Sequence, residues 1–372
     1  MLISGQRVLL GDGAELVPGW VEVEADRIVA AVAGDPPRPA DEVVAGILAP
    51  GYVDVHSHGG GGASFVTEDP EQALVAVAAH RRLGTTGMVA SLVTGALPDL
   101  HRQVSALAEL VDSGDLLGLH LEGPWLSEKY KGAHPPQLLA DPEPGDVAAL
   151  LDTGRGTVRM ATIAPERAGA LDAIRLMTSR GCLAAVGHSD ADYETTRAAI
   201  DAGARGATHL FNAMPELRHR APGPVLALWE DPRVTLELVM DGVHVRPELV
   251  AWVMATAPGR VALITDAMAA AAGEDGDYVL GELPVEVRGG VARLAGEDTI
   301  AGSTLTLDRA VRNAVAAGVG LVTALRAAST VPAEYLGLDE VGRIAAGRRA
   351  DLVVLDDALE VTRVLWRGRW QH

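Results

Sequence analysis

Hydrophobic and polar positions change rhythm twice along this chain. Up to about residue 48, apolar and polar side chains alternate in short runs broken by Gly, Asp and Pro, as in RVLLGDGAELVPGWVEVEADRIVAAVAGD. That is the pattern of small antiparallel strands. The C-terminal stretch GRIAAGRRADLVVLDDALEVTRVLWRGRW returns to it, with Gly342, Gly347 and Gly368 between β-rich runs. The two ends, residues 1–48 plus 343–372, are therefore expected to build one small β-sandwich domain together. Between them apolar runs alternate with segments of helical length, the signature of a parallel βα array. Eight such runs occur: 51–58, 88–93, 116–124, 157–166, 183–189, 206–214, 234–245 and 260–268. The intervening PEQALVAVAAHRRLG, LPDLHRQVSALAELVDSG and DADYETTRAAIDAG read as helices. The last is expected to open on Ser189, three residues ahead of Asp192, in a capping-box-like start. Eight units predict an α/β fold, a (β/α)8 TIM-like barrel over residues 49–342. The segment YVLGELPVEVRGGVARLAG has hairpin character around Gly289 and Gly290 and reads as an insertion near 278–296.

Barrel enzymes carry their chemistry at the C-terminal ends of the strands, and the polar residues of this chain fall there repeatedly. The first run ends in VDVHSHGGGG, where His56 and His58, two apart on a strand, face the same side. The third ends in Glu122, the fifth in His188, the sixth carries His209 and the eighth carries Asp266. Four imidazoles and two carboxylates from separate strands suit a borderline divalent metal such as zinc, with iron, manganese or cobalt as alternatives. A carboxylate buried at Asp266 is costly without a partner, which favours a catalytic role there. His120 shares a strand face with Glu122 and is expected one layer deeper. His80 and His101 lie on predicted helices and are expected at the surface. His134, His219 and His244 fall in loops beyond runs three, six and seven and are candidates for substrate contact.

Composition narrows the partners. A formal charge of −19 argues against nucleic acid or an anionic membrane surface, both of which need clustered Lys and Arg. A small anionic substrate would need a local cationic pocket. Lysine occurs only at Lys129 and Lys131. The single cysteine, Cys182, excludes an intrachain disulfide and reads as a buried thiol. The N-terminal MLISGQRVLLGDG lacks the features of a secretory signal, and no apolar run reaches membrane-spanning length, so a cytoplasmic protein is expected.

In order, VDVHSHG, HLEGPWLSEKYKGAH, GHSDAD, THLFNAM, MDGVHV and LITDAM resemble the amidohydrolase superfamily and, within it, the N-acetylglucosamine-6-phosphate deacetylase family, over the whole chain. The resemblance implies a metal-dependent hydrolase barrel in which Glu122, His188 and His209 hold the principal metal. It implies that Asp266 is the catalytic acid/base, and that His134 with the backbone at Ala133 contacts the sugar and acyl oxygen. Asn212 and Ala213 look like substrate-binding positions, as do Ile300, Ala301 and Gly302 in TIAGS. Arg220 and His244 match the family's phosphate-contacting pair, the arginine reaching in from a neighbouring subunit of a homo-oligomer, dimer or tetramer. Because His58 is present, a second ion held by His56 and His58 is implied as an option, so one or two ions per subunit. The fourth run, TVRMATIAPE, has no lysine to carbamylate, which argues against dihydroorotase-like and hydantoinase-like relatives.

The activity so implied is hydrolysis of N-acetyl-D-glucosamine 6-phosphate to D-glucosamine 6-phosphate and acetate, in amino-sugar catabolism and cell-wall recycling. A metal would activate water and polarise the carbonyl, Asp266 would carry the proton, and His134 would support the oxyanion. Two alternatives stay open: the same chemistry on N-acetylgalactosamine 6-phosphate, and a deaminase or cyclic amidase of the same superfamily.

Overall fold

The computed structural model describes residues 1–371, so His372, the end of the expected terminal segment, lies outside the described residues. Eight parallel strands make the central sheet: Tyr52–Ser57, Thr85–Val93, Gly118–Glu122, Val158–Ile163, Leu183–Val186, Gly206–Ala207, Thr235–Val239 and Val261–Ile264. Each pairs with its predecessor in sequence, so every connection is a crossover of the kind parallel strands require. The ring closes between the first and eighth strands. Asp266 N donates to His56 O at 2.9 Å and His58 N to Ala267 O at 2.7 Å. Below this seam the buried Asp54 carboxylate accepts from Thr265 Oγ1 at 2.6 Å and from the Thr265 and His56 N–H groups at 3.3 Å. Burial raises its pKa to about 6.

The strands are almost wholly buried and mostly apolar, because side chains packed on both faces leave little room for water. All nine residues of Thr85–Val93 are buried, and Leu92, Leu119 and Leu121 are fully so. Each such leucine stabilises the fold by about 1.5–3 kcal/mol relative to an exposed one. Helix starts follow local chemistry. Asp69 Oδ1 accepts from Glu71 N at 3.0 Å ahead of Pro70–Arg82, and Asp192 Oδ1 from Thr195 N at 2.8 Å ahead of Tyr193–Ala202. The latter corrects the expected start at Ser189, whose hydroxyl instead donates to Glu166 Oε2 at 2.7 Å. His80 is also corrected, from surface to fully buried. Its Nε2 sits 2.9 Å from Gly59 O and tacks the glycine loop beyond His58 onto the first helix. A Cβ at Gly60 would meet that ring at 2.6 Å, so this loop needs glycine where it crosses the imidazole.

Both chain ends meet in one seven-stranded sheet, in the order Arg369–Trp370, Val361–Trp366, Leu352–Leu355, Glu42–Pro50, Leu2–Val8, Val17–Glu24, Arg27–Ala33. Antiparallel pairing of Leu352–Leu355 with Glu42–Pro50 ties the ends together. Their inward side chains, Ile3, Val21, Ile28, Leu48, Leu352 and Leu365 among them, form an apolar cluster of their own. A third sheet, Gly276–Leu280, Leu283–Arg288 and Val291–Leu294, follows the eighth barrel strand. Its Leu280, Val285, Val287, Ala292 and Leu294 pack with Val93, Met268 and Ala301, so it leans on the barrel mouth. Among the described residues no helix is long and apolar enough to cross a membrane.

Candidate active site

Several barrel strands end abruptly, and the residues just past those ends point into the mouth. His188, His209 and Asp266 all adopt left-handed backbone, with φ of 46°, 29° and 49°. That costs about 1–3 kcal/mol for each non-glycine residue and persists only where the surrounding structure over-determines it. The turns are tight: a Cβ at Gly187 would meet Thr208 Cβ at 2.6 Å. Strand six shrinks to Gly206–Ala207 because the chain already turns at Thr208 and His209.

These turns bring six of the sequence-predicted groups together. Glu122 Oε1 lies 3.0 Å from His209 Nε2 and 3.2 Å from His188 Nε2, and those two nitrogens are 3.0 Å apart. Glu122 Oε2 lies 3.1 Å from His58 Nε2. Asp266 Oδ1 is 3.2 Å from His58 Nε2 and 3.5 Å from His56 Nε2. Two adjoining groups that share no residue bring their ligand atoms close enough to hold a metal ion: His56, His58 and Asp266, and Glu122, His134 and His188, with His209 Nε2 beside Glu122 and His188 of the second.

The donor chemistry fits a cation. Carbonyl oxygens only accept, so Nδ1–H of His58 donates to Ser91 O at 3.1 Å and that of His188 to Tyr130 O at 3.0 Å. His56 Nδ1–H likewise donates to Glu237 Oε2 at 3.1 Å. With the proton fixed on Nδ1, the Nε2 lone pairs of these three rings converge on one small volume, an arrangement that needs positive charge between them. The electrostatics agree. Burial disfavours charge on His56 and His58, yet Glu122 and Asp266, joined at His56 by Glu237, raise both imidazoles, that of His58 to about 9. Glu122 and Asp266, although buried, are held below the usual carboxylate range by the imidazoles around them. The cluster attracts a cation.

Above it opens a cavity of about 380 Å³ lined by His58, Glu122, Ala133, His134, His188, His209, Asn212, Ala213, His244, Asp266, Ile300 and Gly302. Three predicted contact residues are not among its walls. Ala301 is fully buried in the apolar cluster behind the wall, with its N–H donated to Ala292 O. Arg220 lies on an exposed loop and lines a different cavity with Asp190, Tyr193 and Pro215. His219, beside it, is exposed. His120 sits deeper, between Ser91 Oγ at 2.9 Å and Thr162 Oγ1 at 2.8 Å.

The structure adds residues that the strand-end rule does not find. Glu237 is fully buried in the middle of strand seven and accepts from Tyr335 O–H at 3.1 Å as well as from His56. An acid inside the apolar run LELVM was its signal, by the same cost argument applied to Asp266. Asp241 Oδ2 holds His244 Nδ1 at 2.7 Å while its Oδ1 accepts from the Val243 and His244 N–H groups. Thr94 N, which can only donate, lies 3.4 Å from His134 Nδ1, with Thr94 Oγ1 at 2.9 Å. His134 therefore carries its proton on Nε2, 3.7 Å from Glu122 Oε2, and burial pushes the ring down to about 3, leaving it neutral. Because Glu237 aims His56, Glu237→Ala is expected to weaken divalent-metal affinity by about 10–100-fold. Chelator competition measures this, and an unchanged affinity would remove the assigned role.

A model of the amidohydrolase family matches residues 47–370. The chain belongs to that family. It is 39% identical over 363 residues to an N-acetylgalactosamine-6-phosphate deacetylase of Escherichia coli O157:H7, covering 94% of this chain and 95% of the relative. It is 35% identical over 358 residues to an N-acetylglucosamine-6-phosphate deacetylase of Vibrio furnissii, covering 94% and 90%. Among solved structures it resembles an Asp-to-Ala mutant of N-acetyl-D-glucosamine-6-phosphate deacetylase from Mycobacterium smegmatis in complex with N-acetyl-D-glucosamine-6-phosphate. That likeness has 52% identity, a TM-score of 0.97 and coverage of 100% of this chain and 98% of the other.

Proposed function

We propose that this protein hydrolyses N-acetyl-D-glucosamine 6-phosphate to D-glucosamine 6-phosphate and acetate. The observation that carries the reading is the junction of Glu122 with His188 and His209 at 3.0–3.2 Å, under a cavity that also holds Asp266 and His134. Glu122, His188 and His209 are the His2Glu donor set of catalytic zinc sites, so zinc is the proposed ion, with a second ion at His56 and His58. A cation bound there supplies the Lewis acidity that makes water a nucleophile near neutral pH.

The chain's own groups do the rest. Asp266, 7% exposed and held ionised, takes the proton of the attacking water. The water oxygen bonds to the carbonyl carbon while neutral His134 donates Nε2–H to the carbonyl oxygen where negative charge develops. Asp266 then returns the proton to the nitrogen as the C–N bond breaks, releasing acetate and the amine. Asn212, Ala213, Ile300 and Gly302 line the space for the sugar. His244, its pKa raised against burial by Asp241, faces the cavity as a cation for phosphate.

Arg220 is proposed to complete the phosphate site of a neighbouring subunit in a homo-oligomer. Its own loop leaves Leu217, a large apolar side chain, 47% exposed, which supports burial of that loop against a second copy. Arg220→Ala is expected to raise KM for the phosphorylated sugar by about tenfold or more with a smaller change in kcat, as loss of a charge-assisted anion contact requires. Steady-state kinetics test it, and an unchanged KM removes the role. A cytoplasmic setting is proposed with it, supported by a free, buried Cys182.

The E. coli relative favours a second reading, the same reaction on N-acetylgalactosamine 6-phosphate. Acetate release from the two epimers separates them: the proposal expects the gluco substrate to have the higher kcat/KM, and the reverse ranking would replace it.

A further inference from the structure

Resting on the deacetylase reading, we infer that Val93 and Leu280 form the end wall of the acyl pocket and restrict the group removed to acetyl. In the parallel ladder Val93 stands directly across from Glu122, so both side chains leave the sheet on the same face and enter the mouth side by side. The next residue, Thr94, supplies the N–H that sets the His134 tautomer. Val93 thus adjoins Glu122 across the ladder and, through Thr94, the ring of His134. Leu280, from the sheet that leans on the barrel mouth, packs against it, and a Cβ on the adjoining Gly281 would come within 2.9 Å of Val93 Cγ2. Both side chains line the cavity while remaining 4–5% exposed.

A carbonyl carbon held between Asp266 and His134 has two other substituents to dispose of. The sugar nitrogen is assigned to the polar lining, which includes Lys129, Asn212 and His244. The methyl group is left facing the apolar side, which Val93, Leu280 and Ala133 supply. This wall does not yield easily, because Leu280 is backed by Val285, Val287, Leu294 and Met268 and a close-packed cluster resists an added methylene.

The test compares N-acetyl, N-propionyl and N-butyryl glucosamine 6-phosphates on the metal-loaded enzyme. Each added methylene is expected to lower kcat/KM by about 10-fold or more. In Leu280→Ala the propionyl-to-acetyl ratio is expected to rise by about tenfold. Calorimetric binding of the same compounds to Asp266→Asn, with and without Leu280→Ala, should show the same relative gain for the propionyl compound without turnover. Should Leu280→Ala not fold, Val93→Ala serves with the same expected direction. Comparable turnover of all three substrates by the wild type, or an unchanged ratio in a folded variant that still releases acetate, overturns the wall. Absence of acetate release by the wild type overturns the deacetylase reading and the wall with it.

Discussion

Asp266→Asn is expected to keep its metal and lose about 10²–10⁴-fold in kcat, the range contributed by a positioned general base and acid. The substitution is nearly isosteric, and Glu122, His188 and His209, which meet within 3.2 Å of one another, remain to hold the ion. What disappears is the proton carrier. Asp266 is nine-tenths buried and its carboxyl lies below the usual range because His58 and His56 favour the anion over the desolvation penalty. The anion is thus the favoured form, ready to accept a proton. Asparagine cannot accept one from water or return one to the amine. Acetate release together with metal content measures both halves of the expectation. Near-wild-type turnover would eliminate Asp266 as the carrier, and loss of the metal would make it chiefly a ligand.

Glu122→Gln should have the second largest effect, through the ion itself. Both carboxylate oxygens are engaged: Oε1 by His188 and His209, Oε2 by His58 at 3.1 Å. Glutamine removes the charge and puts an amide N–H₂ where one oxygen faced an imidazole nitrogen, so the pocket loses attraction for a cation and gains a donor pointed at it. Metal affinity is expected to fall by at least about 100-fold, since the change strikes a direct ligand where changes to its supporting groups already cost 10–100-fold. Acetate release should fall to background. A ligand that binds only the folded chain stabilises it by about 4 kcal/mol at a thousandfold excess over Kd. The wild type should therefore rise in Tm when metal is restored, and the variant should not. A variant that holds metal and melts like the wild type would show that Glu122 is not a ligand of the ion.

The legible part of this protein was its alternation. Apolar runs of strand length gave the barrel, and the period-two rule put His56 beside His58 on one face. Polar residues at run ends gave Glu122, His188, His209 and Asp266, because strand ends are where a polar side chain can reach a mouth instead of a core. The same rule explains what stayed hidden. Glu237 and Asp54 sit inside apolar runs, and each is tolerated through a partner distant in sequence, Tyr335 for one and Thr265 for the other. Ala301 and Ile300 are neighbours, yet only Ile300 lines the cavity, since chain direction in an irregular segment decides which side chain turns inward. His80 lies on a helix face that the glycine loop covers, a packing event with no periodic signature. Arg220 stands on an exposed loop that lines a different cavity, and the role proposed for it would need a second copy, which a single chain does not contain.

An anomalous-difference map from crystals of the active, metal-loaded enzyme tests the central claim most directly. The account predicts a peak about 2.0–2.2 Å from Nε2 of His188, Nε2 of His209 and a carboxylate oxygen of Glu122. Crystals of fully active enzyme with no peak there, or with the ion bound elsewhere, would contradict it.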